Sequence, residues 1–238
     1  MRAGDCPARN LVLIAHILRL VMVYKMVTLI PESMEARAPY NLLTSIAAPR
    51  PIAWVSTISA QGIPNIAPFS FYNAVAGFPP TIMFSVSYRE RTKPEEKDTL
   101  RNVREVGEFV SHVVDEAMAD AMIKTSADYP YGVSEFEIAE LETLPSLDVK
   151  PPRVAHAPAA MECRVTQIIP VEGATNIMIL GKVVRFHIRE DLYRSNGLVD
   201  TVRMKPISRL GGPLEYAKIG ELFHLKTPSV NQETSPRE

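Results

Sequence analysis

PIAWVSTISAQGIPNIAPFSFYNAVAGFPPTIMFSVSY, residues 51–88, decides the fold. Pro51–Ser59 is rich in β-branched residues and partly alternating, which predicts a strand. Ala60–Asn65 is a turn punctuated by Gly62 and Pro64. Ile66–Val75 predicts a second extended segment, and Gly77–Pro80 breaks the chain again. Thr81–Tyr88 alternates apolar and small residues as a third strand.

Downstream, Arg89–Lys97 is a charged loop. Asp98–Gly107 predicts a helix: Asp98 or Thr99 caps it, Leu100, Val103 and Val106 share a face, and Gly107 ends it. Glu108–Asp115 predicts a strand, and Glu116–Pro130 returns to helical spacing through Met118 and Met122. Glu135–Pro158 mixes short apolar runs with prolines and reads as irregular. Met161–Glu172 and Asn176–Glu190 predict two strands, joined as a hairpin through the small-residue loop Gly173–Thr175. Roughly six strands and two short helices without βα alternation predict a mainly β fold, an antiparallel barrel with added helices.

The composition sets the class. The chain has 238 residues, 46% hydrophobic and 22% charged, with a formal charge of −1. It is long enough for one large domain or two small ones with a substantial core and too apolar for intrinsic disorder. Near-neutral charge argues against nucleic-acid binding. Two cysteines, Cys6 and Cys163, make neither a disulfide framework nor a cysteine-rich zinc site, so a reducing, cytoplasmic setting is expected. Leu11–Tyr24 is apolar but interrupted by His16 and Arg19, which spoils both a membrane span and a signal peptide. Residues 1–35 read as an extension whose true start is Met26 or Met34, residues 36–228 as the domain, and residues 229–238 as a polar tail.

No acid, base or nucleophile constellation stands out. The five histidines are scattered, and His112 and His187, inside predicted strands, read as structural or surface residues. Cys163 reads as an inert strand thiol, and no Rossmann or P-loop glycine pattern occurs. Polar residues instead crowd the strand ends: Ser56 and Thr57, then Asn65, Ser70 and Asn73, then Ser87, Arg89 and Arg91, with Lys97, Asp98 and Thr99 at the helix start. Hydroxyls, guanidinium groups and a lysine at a helix start suit a phosphate, yet the same residues serve as ordinary caps and loop charges. Trp54, Phe69, Phe71 and Tyr72 lie among them, either as barrel core or as a stacking surface for a flat heteroaromatic ring.

The segment from Pro49 to Val86 resembles the flavin reductase-like family, the FMN-binding split-barrel flavoproteins. KDTLRNVREVGEFVSHVV, YGVSEFEIAELETLPSLDVKPPRVAHAPAAMEC, ILGKVVRFHIRED and RLGGPLEYA follow in the family's order, so the likeness runs from Tyr40 to Leu225. The resemblance implies a six-stranded antiparallel split β-barrel with peripheral helices, a homodimer, and FMN near the subunit interface. It implies that Trp54, Ser56 and Thr57 line the flavin pocket. Ala67, Pro68, Phe69, Ser70, Phe71, Tyr72 and Asn73 would run along the ring and ribityl chain. Arg89, Lys97 and Thr99 would serve the phosphate, and Arg209 and Tyr216 the flavin or the dimer contact. NADH or NADPH would donate hydride, with a free flavin, a partner monooxygenase or another small molecule as acceptor. A non-catalytic FMN-binding electron carrier or sensor shares all these residues, and a split barrel without flavin is the third reading.

Overall fold

The computed structural model describes residues 24–88 and 95–228. The apolar N-terminal stretch, Arg89, Arg91 and the polar tail lie outside them. No helix among the described residues is long and apolar enough to cross a membrane. The chain divides into two compact units, residues 1–42 and 43–238. Among its described residues the first holds a 3-10 turn, Pro31–Ser33, and the start of helix α1, Ala38–Ile46.

The second unit is built on one seven-stranded antiparallel sheet. In chain order its strands are β2 (Ala53–Ile58), β3 (Pro64–Phe69), β4 (Tyr72–Gly77), β5 (Pro80–Ser87), β6 (Glu108–His112), β9 (Ala159–Pro170) and β10 (Asn176–Ile188). Two small sheets accompany it: a three-stranded one in the order β1 (Arg50–Pro51), β11 (Ile207–Arg209), β12 (Tyr216–Lys218), and the pair β7 (Thr143–Leu144) with β8 (Arg153–Val154). Helices α2 (Asp98–Glu105), α3 (Ala119–Lys124), α4 (Glu135–Ile138) and α5 (Thr201–Met204) are peripheral.

The sheet order is β3-β2-β6-β9-β10-β5-β4. Consecutive strands β3 and β4 therefore form its opposite edges. The segment Ile66–Val75, expected as one extended piece, breaks at Ser70–Phe71, which raises the strand count from six to seven. β3 curls round to approach β5 without a ladder between them. This is a barrel with a seam, a split barrel.

Side-chain alternation fills the inside. Ile82, Phe84 and Val86 of β5 face Gly181, Ile179 and Ile177 of β10 in register, and with Val55, Phe109, Leu100 and Val103 they make the barrel core. Phe84 packs on Phe69 at 5.2 Å and on Phe109 at 5.1 Å between ring centroids. β2 is buried on both faces, because Trp54 points the other way into a second cluster with Ile66, Met118, Met122, Phe136 and Val154. That double burial explains its weak alternation in sequence. The β9–β10 loop turns through Gly173 at φ 72°, as a hairpin requires. Glu116–Pro130, expected to be helical, splits into a 3-10 turn at Glu116–Met118 and α3.

Helix α2 ends as its sequence predicts, with Gly107 at φ 74°. Its start differs. The N-cap position is Lys97, whose ammonium has no acceptor to cap with; Asp98 and Thr99, the expected caps, lie inside the first turn, and Thr99 Oγ1 donates to Asn65.

Candidate functional site

A cavity of about 50 Å³ lies where β3, the start of α2 and the segment after α3 meet. Ala67, Pro68 and Phe69 form one wall, Lys97, Asp98 and Thr99 the second, and residues 125–129 the third. That volume holds several water-sized groups, which suits an anionic terminal group and excludes a tricyclic ring. An α-helix start offers backbone N–H donors and the positive end of the helix dipole. Here the N-cap residue is Lys97, which makes no side-chain cap bond and whose ammonium stands beside the helix start.

A buried polar network fixes the walls. Asn65 Oδ1 accepts from Thr57 Oγ1 at 3.1 Å and from Thr99 Oγ1 at 2.9 Å. Asn102 Nδ2 donates to Thr57 Oγ1 at 3.0 Å. Asn65 Nδ2 donates to both oxygens of Glu135, which also accepts the Ile66 N–H at 3.1 Å. These links tie β2, β3, α2 and α4 into one frame. Burial pushes the Glu135 carboxyl above the usual range, partly offset by the N–H groups it accepts. Lys97 Nζ is paired with Asp128 at 3.2 Å, so an incoming anion meets an ammonium already held by a carboxylate.

The sequence-predicted residues divide into three groups. Ala67, Pro68, Phe69, Lys97 and Thr99 come together at the cavity. Trp54, Ser56 and Thr57 are wholly buried. The Trp54 indole N–H donates to Thr125 Oγ1 at 2.8 Å and so braces the cavity wall from behind, and Ser56 donates to the Pro152 carbonyl at 2.6 Å. Thr57 and Thr99 act through Asn65. The rest lie elsewhere. Tyr72 is half-buried against the barrel core, and desolvation there raises its pKa. Asn73 is exposed on β4 and accepts its neighbour's N–H. Ser70 and Phe71 meet Arg50, which also donates to the Thr44 and Leu210 carbonyls. Arg209 donates to the Glu215 and Pro213 carbonyls of its own hairpin, with its guanidinium 4.7 Å from the Tyr216 ring centre. In RLGG, a Cβ on Gly211 would overlap Ser45, so that motif is needed for close packing. Arg89 lies outside the described residues.

Sequence reading missed Asn65 as the hub, Glu135, and the whole 125–129 wall. Asn65 pairs with Glu135 across 70 residues, and nothing local in either segment signals that contact.

The remaining titratable groups in strands are held by their surroundings. His112 is buried, with Nδ1 donating to the Trp54 carbonyl at 2.8 Å and Nε2 accepting the Val154 N–H at 3.0 Å. Desolvation lowers its pKa to about 4, against the opposing pull of the Trp54 carbonyl. Burial pushes the Cys163 thiol far up. His187 pairs with Glu162 at 2.6 Å, and Glu162 also accepts the Leu147 and Asp148 N–H groups. No cluster of metal-ligating side chains occurs among the described residues.

A larger cleft, about 830 Å³, opens beyond the Trp54 cluster between Met118, Val154 and Phe186. On its walls Arg189, His187 and His156 are each paired with a carboxylate, and Arg153 donates to the Pro145 carbonyl.

Residues 46–218 match the flavin reductase like domain family. The fold superposes on nitrilotriacetate monooxygenase component B from Bacillus cereus with a TM-score of 0.81 and 39% identity, covering 85% of this chain and all of that one. It is also similar to 2-nitrobenzoate 2-nitroreductase from Pseudomonas fluorescens, with a TM-score of 0.76 and 30% identity over 85% of this chain and 96% of that one. A split-barrel-domain protein from Shewanella frigidimarina shares the fold at a TM-score of 0.74 and 17% identity, over 85% of this chain and 100% of that one.

Proposed function

We propose, from the premise that this chain belongs to the flavin reductase like domain family, that it binds FMN and works as an NAD(P)H-dependent flavin reductase. The observation that carries this reading is the start of α2 with Lys97 at its N-cap, opening on the wall of Ala67, Pro68 and Phe69. These residues fit a phosphate-bearing ligand. Lys97 would supply a point charge and the first turn of α2 its N–H groups.

β3 would offer the rest of the ligand a particular edge. Ala67 and Phe69 bond inward to β2, so Pro64, Ile66 and Pro68 present their backbone outward. The two prolines have no N–H, and that of Ile66 is taken by Glu135. The outward edge is therefore rich in acceptor carbonyls, suited to a ligand that donates. The prolines also block addition of a foreign strand.

Bound FMN supplies the hydride-accepting chemistry, which is why the chain needs no acid–base constellation of its own. The protein's work is to hold the phosphate, align the ring and exclude water. The similarity to a monooxygenase component and to a nitroreductase supports an oxidoreductase with a partner monooxygenase or a small molecule as acceptor. The reading includes a homodimer, for which the exposed Val75, Phe78 and Leu214 provide apolar surface.

The test is an anaerobic titration of the FMN-loaded protein with NADPH and then NADH, followed in the visible spectrum. Bleaching of the flavin band at catalytic speed is expected. A bound band that persists with both donors would replace the reductase by an electron carrier or sensor. Failure to bind FMN would remove both.

A further inference from the structure

The chain after β12 is unusually apolar for an extended end. Between residues 219 and 225 it carries Ile219, Leu222, Phe223 and Leu225, exposed by 38%, 57%, 79% and 85%. The stretch belongs to no helix or strand. It leaves the body at Lys218, whose Nζ is 2.9 Å from Glu116 Oε2. The neighbours of Glu116, Asp115 and Ala117, are walls of the 830 Å³ cleft. The arm therefore begins at the cleft rim.

Cleft and arm are complementary. The cleft interior pairs the half-exposed Phe186 with small side chains, Ala155, Ala157 and Ala160, leaving room for large ones. On its rim Arg153 spends its hydrogen bonds on the neutral Pro145 carbonyl, and the arm carries Glu221 between its apolar residues. Seven extended residues reach roughly 23 Å. The four apolar side chains of the arm are exposed. A two-fold pair in which each copy's arm lies in the other's cleft covers them, each copy giving what it receives.

We propose that residues 219–225 of one copy occupy the cleft of a second copy, so that reciprocal arm exchange joins the homodimer. The proposal rests on the dimer included in the functional reading, but its test needs no flavin. In a Cys6→Ser background, where Cys163 is buried, one full-length chain carries Phe223→Cys and a differently tagged chain carries His156→Cys. Both sites are exposed, so both variants retain the fold. A flexible bismaleimide should link the two chains only when they are mixed. Truncation after Lys218 should weaken the dimer at least tenfold in sedimentation equilibrium. A link within a doubly substituted single chain but none in the mixture would overturn the exchange, as would no link at all. A dimer that persists unchanged without the arm overturns it and leaves the homodimer standing, whereas a monomeric full-length chain overturns both.

Discussion

Acidification should destabilise this fold through His112. Its Nδ1–H is fixed on the Trp54 carbonyl and its Nε2 accepts the Val154 N–H, so a second proton has no acceptor and breaks the link between β2 and β8. The folded-state pKa is about 4, against 6.5 for an unhindered imidazole. Between those values the unfolded chain binds a proton that the folded chain does not, so stability falls as pH falls through that window. At about 1.4 kcal/mol per pH unit the full effect approaches about 3 kcal/mol, and the loss between pH 7 and pH 5 is about 2 kcal/mol. With an m-value of about 2–3 kcal/mol/M, the urea midpoint drops by about 0.7–1 M over that interval. Glu135, whose pKa is raised, contributes in the opposite direction, so the comparison must isolate the imidazole. Urea unfolding of wild type and His112→Asn at both pH values does this, and the variant should lose the extra pH sensitivity. Imidazole nitrogen shifts in the wild type give an independent readout should the variant fail to fold. Equal pH dependence in the two proteins, or a His112 titration near 6.5, would refute the reasoning.

Lys97→Ala should weaken FMN binding by more than tenfold while barely changing riboflavin binding, as read by fluorescence titration, because only the phosphate uses that ammonium. Asp128→Asn should tighten FMN severalfold in the same assay, since the competing carboxylate on Lys97 is removed. Gly181→Ala should cost about 1–3 kcal/mol in chemical denaturation, because the added Cβ would overlap the Phe109 ring, and Phe109→Leu should recover part of it. Glu162→Gln should cost about 1–3 kcal/mol, since an amide cannot accept from His187 and from the Leu147 and Asp148 N–H groups as the carboxylate does. Thermal melts of that variant should show the loss.

Strands were legible where one face is buried. In Thr81–Tyr88 and Asn176–Glu190 the alternation maps directly onto β5 and β10, and Gly107 marks the end of α2. The break in Ile66–Val75 was not legible. Its residues favour extension throughout, and only the need to reach the opposite edge of the sheet bends the chain at Ser70–Phe71. Half of the cavity could be read from Ala67–Phe69 and Lys97–Thr99, which stand near one another in the family motifs. The other half arrives through Thr125–Tyr129 and Glu135, brought in by tertiary packing on the Trp54 cluster. Trp54 illustrates the limit: an aromatic beside polar residues carries no sign of which sheet face it takes, and here it supports the site through Thr125 from the far side.

The passage from β3 to β4 is also a ruler. Three Cα steps separate Phe69 from Tyr72, so the two margins of the sheet stay within about 11 Å of each other at that point. Both margins lean on one side chain, because Phe69 packs on Phe84 and Tyr72 pairs with it across β5. The width of the seam is thus set by covalent chain length and a shared ring, with no ladder to zip or unzip. A residue inserted between Ser70 and Phe71 would leave every strand pairing intact and widen the mouth of the barrel. Homologues of different aperture can therefore arise by length changes in this one link, without redesign of the sheet.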